Sequence, residues 1–145
     1  MKAFHFPLSR VLDWRAMQAR IEESKLETLY AELRAIDQSE RSLQQQRQES
    51  EQALLSAPAA SSGELAALDS FRRFTVAEHT RLEKSRAECS KKVAAQIQAV
   101  AAKRRDVKLL EHLREQRREV WTRDFHRELD AQADESYLAK WNRRG

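Results

Sequence analysis

Apolar residues recur at intervals of three and four along the first third of the chain: Leu8, Leu12, Ala19, Leu26, Leu29, Leu33, Ile36, Leu43 and Leu54. In a seven-residue frame Leu12, Ala19, Leu26, Leu33 and Leu54 share one position, and Leu8, Leu29, Ile36 and Leu43 share the other. A stripe of two positions in seven is narrower than the apolar face of a helix on a globular core. It predicts the seam of a coiled coil. Arg15, Glu22, Glu40, Arg47 and Ser50 interrupt the stripe with polar groups, which predicts a loose seam near each end of this arm. Pro7 fits the first helical turn, where its missing N–H costs nothing. The pattern predicts a helix over 7–56.

The stretch SAPAASSG, Ser56 to Gly63, then breaks the pattern. Pro58 removes a backbone donor and biases Ala57 away from the helical region. Ser61 and Ser62 favour turns, and either is able to cap a following helix. Gly63 permits positive φ. Glu64 and Asp69 come next, where acidic groups favour the positive end of a helix dipole. A turn over 57–63 and a second helix over 64–140 follow. The apolar positions of that helix include Leu65, Leu68, Phe71, Phe74, Leu82, Cys89, Val93, Ile97, Val100, Val107, Leu110, Leu113 and Trp121.

Two such arms around one short break predict an all-α fold: a single antiparallel two-helix coiled-coil hairpin over 1–145. Folding near residue 60 pairs position i with about 120 − i. The second arm is the longer, so its last 25–30 residues, roughly 40 Å of helix, extend past the N-terminus without a partner. That segment carries Trp121, Phe125, Leu129, Tyr137, Leu138 and Trp141, a composition that calls for a binding partner. An isolated helix of this length is marginal in water, which predicts fraying from about residue 130.

Composition supports long helices over a globular core. Charged residues make up 34% of the 145 and aromatics 7%, and glycine and proline number two each. The 27 basic and 23 acidic residues interleave, so the net charge of +4 makes no continuous basic face. The basic excess lies toward the C-terminus, with 12 basic against 9 acidic groups over 103–145. KRR at 103–105 and RR at 117–118 are interrupted by Asp106, Glu111, Glu115 and Glu119, unlike a dense basic DNA-binding region. No nucleic-acid partner is expected. Cys89 alone forms no intramolecular disulfide and fits a reducing compartment. The N-terminus lacks a signal-peptide core, and no apolar run approaches a membrane span, so the expected location is cytoplasmic.

Catalytic chemistry has little to work with. Gly63 and Gly145 make no phosphate-cradling loop. His5, His79, His112 and His126 are scattered; His112 and Glu115 share a helix face, but one pair is not a metal site. Neither a metal nor a cofactor is expected, and the chain reads as a non-enzyme.

The two ends carry a resemblance. FHFPLSRVLDWR (4–15) resembles the aromatic-x-aromatic-x-Leu-x-x-Val-Leu-x-x-Arg opening of the FliJ family of flagellar export proteins. KLLEHLREQRREVW (108–121) resembles that family's Lys/Leu/Glu/Arg-rich segment, and RELDAQADE (127–135) its Arg-Glu…Asp-Glu ending. The resemblance extends over the chain in length, hairpin layout and position of the turn. It implies a stalk-like component of the flagellar type III protein export apparatus, serving bacterial flagellum biogenesis and motility. Its implied partners are a hexameric export ATPase and the cytoplasmic domain of the export gate's large membrane protein, with export chaperones as further candidates. It also implies peripheral association with the inner membrane through that apparatus. For ATPase contact the resemblance points to Arg117, Arg118, Arg123, Arg127, Asp134 and Glu135. For the gate it points to Phe71 and Phe74, Phe74 being the better match. One turn after Phe74 the family has a leucine, and this chain has Glu78. The plain alternative is that Phe71 and Phe74 close the hairpin turn as seam residues. Other readings of the whole chain are a stalk of a virulence-type secretion system, a coiled-coil tether, and a nucleic-acid-binding coiled coil.

Overall fold

The computed structural model describes residues 1–59 and 61–145. Among them are two helices, α1 (Ser9–Ser56) and α2 (Ser62–Arg144). Ala60, within the expected turn, lies outside the described residues.

The helix ends follow from local chemistry. Pro7 and Leu8 form a turn closed by Ser9 N–H donating to the Phe6 carbonyl at 3.1 Å. Leu12 N–H then donates to the Leu8 carbonyl at 2.9 Å, so α1 proper starts two residues after Pro7. Between the two possible caps of α2, the structure uses Ser61: its Oγ accepts from Glu64 N–H at 3.1 Å. Its carbonyl accepts from Leu65 N–H at the same distance. Ser61 and Glu64 have the spacing of a capping box, which starts α2 ahead of the expected residue 64. Gly63 is corrected by this arrangement. It lies inside the first turn, and no described glycine has positive φ, so the break does not use its conformational freedom.

The chain divides into two compact units, Ile21–Val100 and Met1–Arg20 with Ala101–Gly145. In the Ile21–Val100 unit the helices run antiparallel. Glu22 meets Gln96, Leu29 meets Cys89, and Glu40 meets Arg86, so α1 numbers rise as α2 numbers fall. Leu82, Cys89, Val93 and Val100 are buried. Cys89 donates its S–H to the Leu29 carbonyl at 3.5 Å, and its thiol is a small core group. Thr75 is buried as well, its hydroxyl satisfied by the Arg72 carbonyl at 2.8 Å. Two helices shield only one stripe of each other, so no described large side chain is completely enclosed.

Several polar interruptions of the sequence pattern face the opposite helix here. Glu22 accepts from Gln96 Nε2 through its carboxylate, and its backbone carbonyl accepts from the same group at 2.9 Å. Arg86 reaches across to both Asp37 and Glu40, the latter at 2.6 Å. Desolvation works against the Arg86 charge, but the charges of Asp37 and Glu40 and their hydrogen bonds outweigh it and raise the guanidinium's pKa. Arg72 approaches Glu51 at 3.9 Å from the other helix. Leu65, Phe74 and Ile97, apolar positions of the second arm, are exposed at 50%, 55% and 41%.

In the other unit, Met1–Arg20 packs on the part of α2 from Ala101 onward. Phe6, Leu12 and Ala19 are its buried side chains. Phe4 meets Trp121 with ring centroids 6.1 Å apart, and Trp121 stacks on Phe125 at 5.2 Å. Trp121 Nε1–H donates to the Lys2 carbonyl at 3.1 Å. Arg15, another polar interruption, pairs with Asp106 at 3.4 Å and lies over the Trp14 ring. Farthest out along α2, the Met1 ammonium sits 3.4 Å from Glu128. Residues 129–145 are exposed throughout, and helix continues to Arg144.

Candidate partner-binding surfaces

The residues expected to meet an ATPase are all on the exposed surface of α2: Arg117, Arg118, Arg123, Arg127, Asp134 and Glu135. Helical spacing distributes them unevenly. Arg123, Arg127 and Asp134 are separated by four and seven residues and share one face, while Arg117, Arg118 and Glu135 lie around the rest of the helix. Arg127 approaches Asp124 at 3.9 Å, one turn back on the same helix. The Arg118 carbonyl also accepts from the Thr122 hydroxyl at 2.9 Å, which leaves its guanidinium unaffected. The set is a series of exposed charges along α2. It suits guided, reversible docking, because individual exposed ion pairs contribute only about 0–1 kcal/mol.

The aromatic pair of the Ile21–Val100 unit is split by burial. Phe71 is half-buried and lines a shallow groove with Leu54, Ala57 and Leu68. Phe74 is 55% exposed, with its ring centroid 6.4 Å from that of Phe71. One turn on, Glu78 is engaged by Arg81 through two hydrogen bonds. The bond from Arg81 holds the Glu78 carboxyl below the ordinary glutamate value, against desolvation. An apolar partner surface that would meet a leucine here instead meets a carboxylate already committed to its own helix.

Trp121 is half-buried, with its ring against Phe4 and its Nε1–H on the Lys2 carbonyl. Tyr137, Leu138 and Trp141 remain 65%, 57% and 66% exposed. His112 is hydrogen-bonded to Gln116 at 3.1 Å. Among the described residues no group of three or more His, Cys, Asp or Glu side chains gathers to hold a metal ion. No helix among them is long and apolar enough to cross a membrane.

Sequence reasoning missed Gln96, Arg86 and Asp106 as partners across the helix pair. A signal was present. Pairing i with about 120 − i puts each within roughly two turns of a seam position on the other arm that lacks an apolar residue or needs a charge of opposite sign. No family model, curated protein or solved structure matches the chain.

Proposed function

We propose that this chain is a non-enzymatic, coiled-coil stalk of the FliJ type, acting in a flagellar type III export apparatus. It engages a hexameric export ATPase through the outer part of α2 and an export gate component through the Phe71–Phe74 surface. The observation that carries the reading is the contact of Phe4 and the Lys2 carbonyl with Trp121. Those groups belong to, or adjoin, the opening and the Lys/Leu/Glu/Arg-rich segment on which the resemblance rests. Their packing gives the two stretches a joint structural purpose: the aromatic opening clamps α2 where its exposed charged portion begins. A stalk needs such a firm base, because a helix that enters a ring of loops must transmit its position. It also needs a surface of dispersed charge that slides among equivalent sites, and the arginines and acids from Arg117 to Glu135 supply one.

The test is ATP hydrolysis by the export ATPase of the source organism, titrated with this protein. Three forms separate the contributions: the native chain, one ending at Glu128, and a full-length R117E/R118E/R123E/R127E variant. Ending at Glu128 retains Trp121, Phe125 and the Met1 contact, so the truncated chain keeps its base. Stimulation or ring assembly by the native chain that falls in the charge-reversed variant supports the assignment. Loss in the truncated chain adds Asp134 and Glu135 to the contact. Absence of binding and of any rate effect by the native chain overturns it.

A further inference from the structure

Beyond the stalk reading, and independent of it, the exposed end of α2 has the pattern of a helix made to pair with itself. Asp130, Asp134, Tyr137, Trp141 and Arg144 follow one another at intervals of four, three, four and three. That spacing places them in a single stripe. The stripe is not the one that faces the N-terminal segment. Trp121 and Trp141 are twenty residues apart, a rotation of about 200° along the helix. Trp121 therefore serves the base, and Trp141 lies on the far side with its ring beside Tyr137, centroids 6.5 Å apart.

Charge along this end is separated by sign. Residues 128–135 include Glu128, Asp130, Asp134 and Glu135 and no basic group, while residues 140–144 include Lys140, Arg143 and Arg144 and no acidic one. Parallel pairing of two copies would set like charge on like charge. Antiparallel pairing about Tyr137 sets acid on base at both ends, because Asp130 and Arg144, both in the stripe, are equally distant from Tyr137, and Lys140 beside the stripe adds to the basic end. The same register places Trp141 of one copy level with Ala133 of the other, whose small side chain leaves room for the indole.

We infer that the outer end of α2 is a self-association surface, occupied by the same segment of a second copy of this chain in antiparallel orientation about Tyr137. The overlap is about 16 residues per copy, or roughly 24 Å of helix. That is smaller than a standard stable interface, so the pairing is weak and reversible. The stripe continues through Arg127 and Arg123 toward the base. Self-pairing and capture by a larger partner therefore draw on one face, and a partner that takes Asp134 displaces the second copy.

Sedimentation equilibrium of the full-length chain at low salt, from about 10 to 1,000 µM, tests the inference. The expected result is a mass rising from 16.9 kDa toward twice that value. W141A weakens association at least tenfold while circular dichroism stays unchanged, since the ring is mostly exposed. D130K/D134K and K140E/R144E each fail to self-associate, and an equimolar mixture of the two forms the mixed dimer. Y137C, oxidised, gives a covalent dimer. A native chain that stays monomeric across the range overturns the inference, as does association that all these substitutions leave untouched. A native monomer whose Trp141 fluorescence responds only to an added export component would assign the surface to that partner and equally overturn it.

Discussion

The two compact units hold their helices together by different means. The Ile21–Val100 unit has small or medium core groups, Leu82, Cys89, Val93 and Val100, and polar links that cross between helices. The other unit also buries Leu12 and Ala19 and pairs Arg15 with Asp106, but it adds rings: Phe6 is buried, and Phe4 meets Trp121. Hydrophobic contact is non-directional, and a stripe of similar aliphatic residues packs comparably in several registers. Glu22 with Gln96, and Arg86 with Asp37 and Glu40, are directional and are satisfied in only one alignment. A bulky ring with an N–H to place is directional too, so Trp121 does for one unit what the polar links do for the other.

The sharpest way to break the comparison is to remove aliphatic packing, which both units need. Leu82→Ala, at a side chain only 4% exposed, is expected to cost about 2–4 kcal/mol in denaturant unfolding. Trp121→Ala should cost about 1–2 kcal/mol, because the ring is half-buried, whereas Trp141→Ala should leave stability within about 0.5 kcal/mol of native. Equal losses from the two tryptophans would erase the distinction between base and exposed end.

Polar links permit a finer contrast. Arg86→Met leaves Glu40 and Asp37 without their shared cation and should lower the thermal midpoint clearly. Arg81→Gln removes only a partner on the same helix and should lower it far less. Acid titration addresses Glu78. Its carboxyl is held below the ordinary glutamate value, so the stability it contributes is present above that value and disappears as pH falls through the lowered one. Glu78→Gln should flatten that part of the pH–stability curve while leaving the rest unchanged. The smallest effect belongs to the start of α2. A Cβ on Gly63 would meet only Ser61 Oγ at 3.9 Å, and Gly63 has no positive φ. Gly63→Ala should therefore stabilise the protein by about 0.5 kcal/mol.

Much of the fold was legible in the residues. The alternation of three and four residues marks the helices, and Pro58 with the serines around it marks the break, because those effects act within one or two turns of chain. The candidate surfaces were legible in part. Asp134 and Glu135 lie past Glu128, the outermost α2 residue that Met1 meets, and the greater length of the second arm anticipates that. Phe71 and Phe74 are three residues apart, and spacing alone puts Phe71 on the seam and Phe74 near its edge, as the half-buried and exposed rings show.

The same limit explains Arg15, Glu22 and Glu40. They read as flaws in a seam because their partners, Asp106, Gln96 and Arg86, are far away along the chain. Local sequence determined that there are two helices, where they stop, and that the second is longer. Tertiary structure alone decided which polar groups the helix pair absorbs and which apolar seam positions, Leu65 and Ile97 among them, it leaves bare. That decision depends on the register and rotation of one helix against another, and each contact that sets them joins residues no local pattern relates.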